Sequence, residues 1–390
     1  MPGAPGRQPA WVSGAFQALK NWTARLRRSA AFAAAVDLED PAVRSDPYSA
    51  YRRLRKEGEV LFLPRHGFWI ALSHRAVRNA FSQPDLFSNA AYQPIDTVLL
   101  AADPPSHGAV RKVISRHFGG RMLTLAESEA KTVAVSLLRP RLDVVAGYGL
   151  PLSRAVTGLV IGFDEGVADH LAACEEALKD DSDALAKLIA ELDSVAHLSA
   201  MFRRLQADEP GALDEAQCRS LVRLMWLAGT VTTERVITRC VFKCLEDSAL
   251  AETLRQQPEL RGAFVEEVLR LYPPEHMVPR RTTADAELGG VVIPAGSLVQ
   301  LCTASANRDP QRYAQPDDFL LERGDRDHFT LGHGIHACLG GPLARRIIAV
   351  ALSSLLDAPG KFRAAAPLQG TEWLATATTL TPRRLEIRWE

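Results

Sequence analysis

The sequence predicts a mainly α-helical protein with small peripheral β-sheets. Long Ala- and Leu-rich segments with apolar residues at helical spacing make up most of its 390 residues. Short β-branched or alternating runs predict strands at 60–63, 68–72, 288–293, 298–301 and 384–389. Neither a low-complexity linker nor a fixed-period repeat interrupts the later sequence, so residues 37–390 are expected to form a single large domain.

Composition excludes several classes of protein. The 46 basic and 46 acidic residues leave no net charge to attract nucleic acid or anionic lipid. No segment approaches the roughly 20 apolar residues of a transmembrane helix, and we find no signal-peptide pattern. Six cysteines without a paired framework predict reduced thiols. These observations favour a cytoplasmic protein that acts on small molecules, with no nucleic-acid partner and no transmembrane segment.

Residues 1–36 form a basic extension, with five Lys or Arg residues and no acid. Apolar residues such as Trp11, Phe16 and Trp22 recur at roughly helical spacing, which would suit an amphipathic helix on a membrane surface or a partner. Three early prolines and the modest charge instead favour a loosely packed, disordered extension.

The longest predicted helix covers residues 214–246, which contain no proline. Its middle changes from apolar residues to Gly229 followed by four small or branched residues, which are poor helix formers. The hydroxyl of Thr232 can bond back to the carbonyl of Ala228 and bend the helix. A deformed helix centre leaves room for a ligand, although a packing contact between small residues would explain the same pattern.

A glycine-rich turn carries the residues most typical of a chemical site. Cys338 stands in this turn directly before a helical run, where backbone amides and the helix dipole favour a thiolate. A single thiolate in apolar surroundings suits an axial ligand of haem iron. His333, His336 and Cys338 could equally belong to a zinc site, which would need a fourth ligand.

The pattern Gly332-x-Gly334-x-His336-x-Cys338-x-Gly340 resembles the haem-binding signature of the cytochrome P450 family, in its soluble bacterial form. The family's helix-borne Glu/Arg pair is matched by Glu267-x-x-Arg270, and Arg323 resembles the arginine that completes this structural triad. These matches occur in the family's order from about residue 40 onward. The resemblance implies the P450 fold in one large domain, which overrides the two or three domains that length alone suggests.

The resemblance also implies the residues that hold the cofactor. His107-x-x-x-Arg111 resembles the His/Arg pair that binds a haem propionate, and Arg280 and His336 are similar to its further donors. The implied cofactor is haem b with Cys338 as axial thiolate. The implied activity is that of a monooxygenase, which uses O2 and electrons from a separate ferredoxin or flavodoxin to oxidise a small or medium-sized organic substrate.

Two positions depart from the family pattern. Thr232 and Gly229 match the oxygen-binding segment of the distal helix, but Val231 stands where an acid is usual, and Leu331 replaces the usual Phe near the cysteine. Val231 places ordinary proton delivery in doubt. Hydroxylation is the leading expectation, with oxidative coupling, desaturation or a peroxide-driven reaction as alternatives. A non-catalytic haem-binding protein is the alternative of another class.

Overall fold

The structure, a computed structural model, describes residues 31–93, 95–178, 183–208, 213–324 and 326–390. The first 30 residues of the basic extension therefore lie outside the described residues. Residues 31–35 are helical. Ala33 is buried beside Leu38 and Tyr51, and the guanidinium of Arg53 lies 5.0 Å from the ring centroid of Phe32. The described end of the extension thus packs against the domain.

Helices form most of the described residues. The α-helices are α1 Pro41–Ser45, α2 Pro47–Glu57, α3 His74–Phe81, α4 Ser106–Ser115, α5 Gly120–Ser136, α6 Leu150–Ile161, α7 Glu165–Leu178, α8 Ala184–Val195, α9 Ala200–Asp208, α10 Glu215–Gly229, α11 Val231–Glu246, α12 Ser248–Gln256, α13 Arg261–Leu271, α14 Thr303–Ala306 and α15 Gly341–Leu356. Short 3₁₀ helices occur at Asn89–Tyr92, Arg116–Phe118, Ala196–Leu198, Pro258–Leu260, Gly334–His336 and Leu368–Gly370, and a π-helical turn at Val145–Gly149.

Twelve short strands of the described residues form small sheets. The strands are β1 Val60–Leu63, β2 Phe68–Ala71, β3 Phe87–Ser88, β4 Arg141–Asp143, β5 Val278–Thr282, β6 Ala286–Leu288, β7 Val291–Ile293, β8 Leu298–Leu301, β9 Phe362–Ala364, β10 Trp373–Ala375, β11 Leu380–Pro382 and β12 Glu386–Trp389. The largest sheet has the order β1-β2-β8-β5-β3, in which β2 and β8 are parallel and the other pairs antiparallel. The others are β4-β12-β9, β10-β11 and β6-β7.

Packing between α5 and α15 fixes the helix that follows the cysteine turn. Ala126, Ala130 and Ala134 repeat every four residues on α5 and are fully buried, so they line one face of that helix. The two helices are in contact, and α15 contributes Ile347 and Ala351 to the same core. Alanine permits close approach of the two backbones, and this contact positions the start of α15.

The predicted long helix is interrupted in the structure. Asp214 and Gln217 form a reciprocal capping box at the start of α10, but the helix ends at Gly229 and α11 begins at Val231. Thr230 lies between them with φ −84° and ψ −75°. The expectation of one continuous helix over 214–246 is therefore corrected to two consecutive helices.

The strand predictions were close to the observed elements. The run 288–293 was wrong as one strand, because Gly289 and Gly290 adopt φ values of 59° and 79° and turn the chain between β6 and β7. In the described residues, no helix combines the length and the apolar character that a bilayer span requires.

Candidate active site

The cysteine turn has a backbone path that requires glycine. The amide of Cys338 donates to the carbonyl of Leu331 at 2.7 Å, which closes the turn before α15. Gly332 and Gly334 have φ values of 68° and 69°, in the left-handed region that disfavours side chains. A Cβ at Gly334 would also lie 2.9 Å from the carbonyl oxygen of Phe81. The turn therefore depends on glycine at both positions.

Cys338 is solvent-exposed as a residue. Many protein atoms nevertheless lie near its sulfur, and they affect the ionisation of the thiol. Burial raises the pKa of the thiol, while the amide of Gly340 and the charges of Arg111 and Arg345 oppose this rise. The net direction is upward. The amides of the turn thus favour the thiolate, as expected, while burial of the free thiol acts against them. A metal-binding cysteine loses its proton on binding, so a cation bound to the sulfur would favour the thiolate further.

Two histidines meet beside the cysteine turn. The ring centroids of His107 and His336 are 4.2 Å apart. The Nε2 atoms of both rings are buried, and neither has a hydrogen-bond partner among the described residues. Burial, with the nearby histidine and arginines, lowers the pKa of His336 to about 3. Since buried polar atoms are normally hydrogen-bonded, this pair indicates a site for a polar ligand.

Two arginines add positive charge to the histidine pair. Arg280 on β5 is buried, and burial lowers its pKa to about 10. Arg111 on α4 donates to the carbonyl of Ala337 at 2.6 Å, one residue before the cysteine. Both guanidinium groups lower the pKa of His336. The structure therefore brings four of the six predicted cofactor-binding residues together in a group that we name the anion-binding cluster, comprising His107, Arg111, Arg280 and His336.

The three residues of the predicted structural triad also meet. Glu267 on α13 accepts hydrogen bonds from Arg270 at 2.7 and 2.8 Å and from Arg323 at 3.0 Å. Burial raises the pKa of Glu267, but the bonds from Arg270, the Leu320 amide and Arg323 outweigh it and leave the pKa lowered. Arg270 also donates to three backbone carbonyls, those of Asn307, Pro316 and Asp318. This network joins α13 to the segment before the cysteine turn.

A hydrogen-bond relay that sequence reasoning missed extends this connection. The side chain of Asn307 accepts from the Phe329 amide at 2.8 Å and donates to the Thr330 hydroxyl at 3.0 Å. Thr330 in turn donates to the carbonyl of Leu269 at 2.6 Å. The stretch 306–310 resembles a segment of the family that leads toward the haem loop, but this resemblance does not identify the relay.

A further ion pair, between a largely buried glutamate and a partly exposed arginine, supports the start of α15. Glu266 on α13 accepts from Arg345 on α15 at 2.6 Å and lies 3.2 Å from His328. Although burial raises the pKa of Glu266, hydrogen bonds and charge from these two partners bring it down to about 2. A glutamate one residue before the triad glutamate carries no distinct sequence signal, so this contact was missed.

The junction of α10 and α11 contains the predicted distal residues. Thr232 donates its hydroxyl hydrogen to the carbonyl of Ala228 at 2.7 Å, as the sequence predicts. Val231 is partly exposed and offers no ionisable group. A Cβ at Gly229 would lie 2.7 Å from the hydroxyl oxygen of Thr157 on α6. Gly229 is thus required by a close helix contact.

Glu234 is the first acid after this junction, and it is buried on another side of α11. The hydroxyl of Thr238 donates to its carboxylate at 2.6 Å, and a Cβ at Gly149 would lie 2.9 Å from its Cγ. Burial raises the pKa of Glu234 to about 7. These contacts lie away from Thr232, as helical spacing predicts.

Asp96 organises the loop that faces α10. Its fully buried carboxylate accepts the amides of residues 98–101 and the hydroxyl of Ser220 at 2.6 Å. This carboxylate thereby fixes the buried side chains of Val98 and Leu99 in the core. The sequence carries no signal for a contact over such a separation.

The donor set fits haem. A thiol is accessible at the helix start, as an axial iron ligand requires. The unpartnered Nε2 atoms of His107 and His336 could donate to the haem propionates, and the charges of Arg111 and Arg280 would neutralise them. Fold and site together therefore correspond to the haem-thiolate class of proteins.

Comparisons with known proteins agree. The family model for cytochrome P450 matches residues 171–370. Cytochrome P450 109 of Bacillus spizizenii is 30% identical over 95% of this chain and 99% of its own length. Erythromycin C-12 hydroxylase of Saccharopolyspora erythraea is 30% identical over 78% of this chain and 85% of its own length. The structure of CYP109B1 from Bacillus subtilis has a TM-score of 0.78 at 25% identity, covering 88% of this chain and 99% of that one.

The chain belongs to the cytochrome P450 family. Members of this family are monooxygenases that bind haem b through an axial cysteine thiolate and oxidise organic substrates with electrons from a redox partner. The predicted family, fold class and cofactor are confirmed.

Proposed function

We propose that this P450 hydroxylates a small or medium-sized organic substrate, with Cys338 as the iron ligand. The observation that carries this proposal is the position of an accessible thiol beside the anion-binding cluster, whose two buried Nε2 atoms lack partners among the described residues. The hydroxylase activity named for the Saccharopolyspora relative supports this choice of reaction. Residues 37–390 would form the catalytic domain.

Each residue around the cofactor has a distinct role in this proposal. Bound haem supplies the iron at which O2 is activated. Cys338 would lose its proton and ligate that iron, and the anion-binding cluster would hold the propionate groups. The triad of Glu267, Arg270 and Arg323 acts through the fold, because its hydrogen bonds secure the segment that leads into the cysteine turn.

Proton supply distinguishes this chain from the usual family pattern. The hydroxyl hydrogen of Thr232 is engaged by Ala228, so its oxygen is available to accept from a water molecule or a substrate hydroxyl. Val231 cannot transfer a proton, and Glu234 lies on another side of the helix. Thr232 would therefore orient the proton donor, and a polar group of the substrate would contribute. The same observation favours oxidative coupling, desaturation or a peroxide-driven reaction as second candidates.

Electrons would come from a ferredoxin or flavodoxin. Lys112 on α4 and Arg116, directly after that helix, are exposed, as is Arg346 on α15, which pairs with Glu127 at 2.9 Å. These cations lie on the elements that flank the cysteine turn and would attract an acidic electron carrier. A cytoplasmic location is part of the proposal and is supported by six unpaired cysteines.

The decisive experiment is turnover of the purified enzyme with a surrogate ferredoxin and its reductase. Candidate substrates are first selected by the spin-state shift that accompanies loss of water from the iron. Hydroxylation predicts incorporation of one oxygen atom from labelled O2 into the product. A coupled or desaturated product without label would favour the second candidates. Haem binding without turnover of any spin-shifting ligand would contradict catalysis and favour a haem-binding protein.

A further inference from the structure

Three ligating side chains meet between α7 and α8, outside the site described above. His170 and Cys174 are one helical turn apart on α7, and Glu191 faces them from α8. The Nε2 atom of His170 lies 2.7 Å from a carboxylate oxygen of Glu191 and 3.7 Å from the sulfur of Cys174. One ligand atom from each side chain lies within 4.8 Å of the other two. We propose that this trio binds one Zn²⁺ ion.

The spacing of the ligand atoms fits tetrahedral coordination. Zinc bonds of about 2.3 Å to sulfur and about 2.0 Å to nitrogen place these two atoms about 3.5 Å apart at a tetrahedral angle. The observed separation between Cys174 and His170 is 3.7 Å. The carboxylate oxygen of Glu191 lies 2.7 Å from Nε2 of His170, which is shorter than two ligands of one zinc ion allow. Rotation of the Glu191 carboxylate would lengthen this distance. The pair on α7 is therefore already spaced for zinc.

The donor set selects a borderline metal. Nitrogen, sulfur and carboxylate oxygen together suit Zn²⁺, whereas Mg²⁺ and Ca²⁺ prefer oxygen ligands. An ordinary surface ion pair would account for His170 and Glu191, whose side chains are 52% and 34% exposed, but it would not require the thiol. On zinc binding, Cys174 would release its proton to solvent and bind as thiolate. A water molecule would complete the tetrahedron.

A metal at this trio would join α8 to a helix that is anchored in the core. Glu175, next to Cys174, accepts from Arg154 on α6 at 2.8 Å and from the indole of Trp226 on α10 at 2.7 Å. These bonds hold α7 against the core, while His170 and Cys174 of the same helix face Glu191 on α8. Zinc would therefore stabilise the pairing of α7 with α8, and its binding does not depend on the haem.

Zinc stoichiometry and X-ray absorption on tag-free holoenzyme test the proposal. After chelator treatment, the enzyme is dialysed against Zn²⁺ and bound metal is measured. We expect one Zn²⁺ per chain, and an absorption spectrum with one sulfur neighbour at about 2.3 Å. Holoenzyme is used because Cys338 is then occupied. Cys174→Ser and His170→Ala should each weaken binding about tenfold or more, since even changes around the ligands cost that much.

Asp169→Asn is the matched control, because it removes an exposed carboxylate beside His170 on the same helix. It should leave zinc affinity unchanged, whereas Glu191→Gln should weaken it. The ferrous-carbonyl spectrum shows that each variant is folded and loaded with haem. Zinc bound without a sulfur neighbour, equal affinity in Cys174→Ser, or no bound zinc in the wild type would overturn the proposal. Absence of a ferrous-carbonyl spectrum in the wild type would instead contradict the proposed haem site and would leave the zinc measurement unaffected.

Discussion

The two sides of the cysteine turn satisfy their buried polar groups in different ways. On one side, Glu267 receives hydrogen bonds from Arg270, Arg323 and a backbone amide, so its buried charge is compensated within the protein. On the other, the Nε2 atoms of His107 and His336 are buried without partners among the described residues. The first arrangement stabilises the fold by itself, whereas the second is complete only with a ligand.

This difference separates effects on folding from effects on cofactor binding. Removing one member of a compensated buried pair leaves an uncompensated charge and destabilises the fold. Removing an arginine from the anion-binding cluster reduces the repulsion between its positive charges, so the fold should tolerate the change. Haem should then be held less tightly.

Cys338→Ala should have the largest effect. It removes the sulfur that we assign to iron, so the thiolate type of ferrous-carbonyl spectrum should be lost completely. Cys174→Ser is the control, because Cys174 lies on α7 and should leave the spectrum unchanged. A thiolate-type spectrum in the Cys338→Ala enzyme would remove this residue from its role.

Glu267→Ala tests the compensated side. Arg270 is 1% exposed, and loss of its carboxylate partner should lower the free energy of unfolding by about 3 to 5 kcal/mol. Urea denaturation and the yield of haem-loaded protein measure this effect. Glu127→Ala, which removes a partly exposed partner of Lys131 and Arg346, should cost less than about 1 kcal/mol. Similar costs for the two variants would refute the distinction.

Glu234→Gln tests a buried group that is only partly compensated, with the hydroxyl of Thr238 as a donor to its carboxylate. Burial raises its pKa from 4.5 to about 7, so the folded state binds the proton more tightly than the unfolded state. Its contribution to stability is present below pH 4.5 and is lost as pH rises through about 7. Glu234→Gln should remove this decline, and the exposed Glu246→Gln should not. Parallel unfolding profiles of wild type and Glu234→Gln would disprove the assignment.

Arg280→Ala tests the ligand-dependent side. Loss of one charged partner should increase haem dissociation about tenfold, since a hydrogen bond to a charged group contributes about 1.5 to 3 kcal/mol. Haem transfer to an acceptor protein measures the rate, while helical content should stay near that of the wild type. The neighbouring Arg281 is exposed and donates to Gly296, so Arg281→Ala serves as control. Equal haem retention in both variants would place the propionates elsewhere.

The sequence predicted those parts of the molecule that depend on local pattern or family motif. The spacing of Glu267 and Arg270 identifies one helix face, and the back-bond of Thr232 follows from its distance along the chain. Contacts made by Asp96, Asn307 and Glu266 were missed, because each joins elements far apart in sequence and uses a residue type that is common on surfaces. The amide donors beside Cys338 were visible in the sequence, whereas the burial that opposes them was not.

Val231→Asp is expected to have the smallest effect on the fold and tests the distal departure. An acid at this position would supply protons that otherwise depend on water or the substrate. The fraction of electrons recovered in product should therefore change several-fold, and the solvent isotope effect on turnover should fall.

Val231→Asn is the control, because asparagine has nearly the shape of aspartate but no ionisable group. It separates proton transfer from polarity. A carboxylate at this partly exposed position would lower stability somewhat, and urea denaturation measures that loss independently. If Val231→Asp folds, binds haem and shows the wild-type isotope effect, protons already reach the site efficiently by another route. Thr232→Ala would then be expected to affect all substrates alike, whereas dependence on a substrate polar group predicts an effect that differs between substrates.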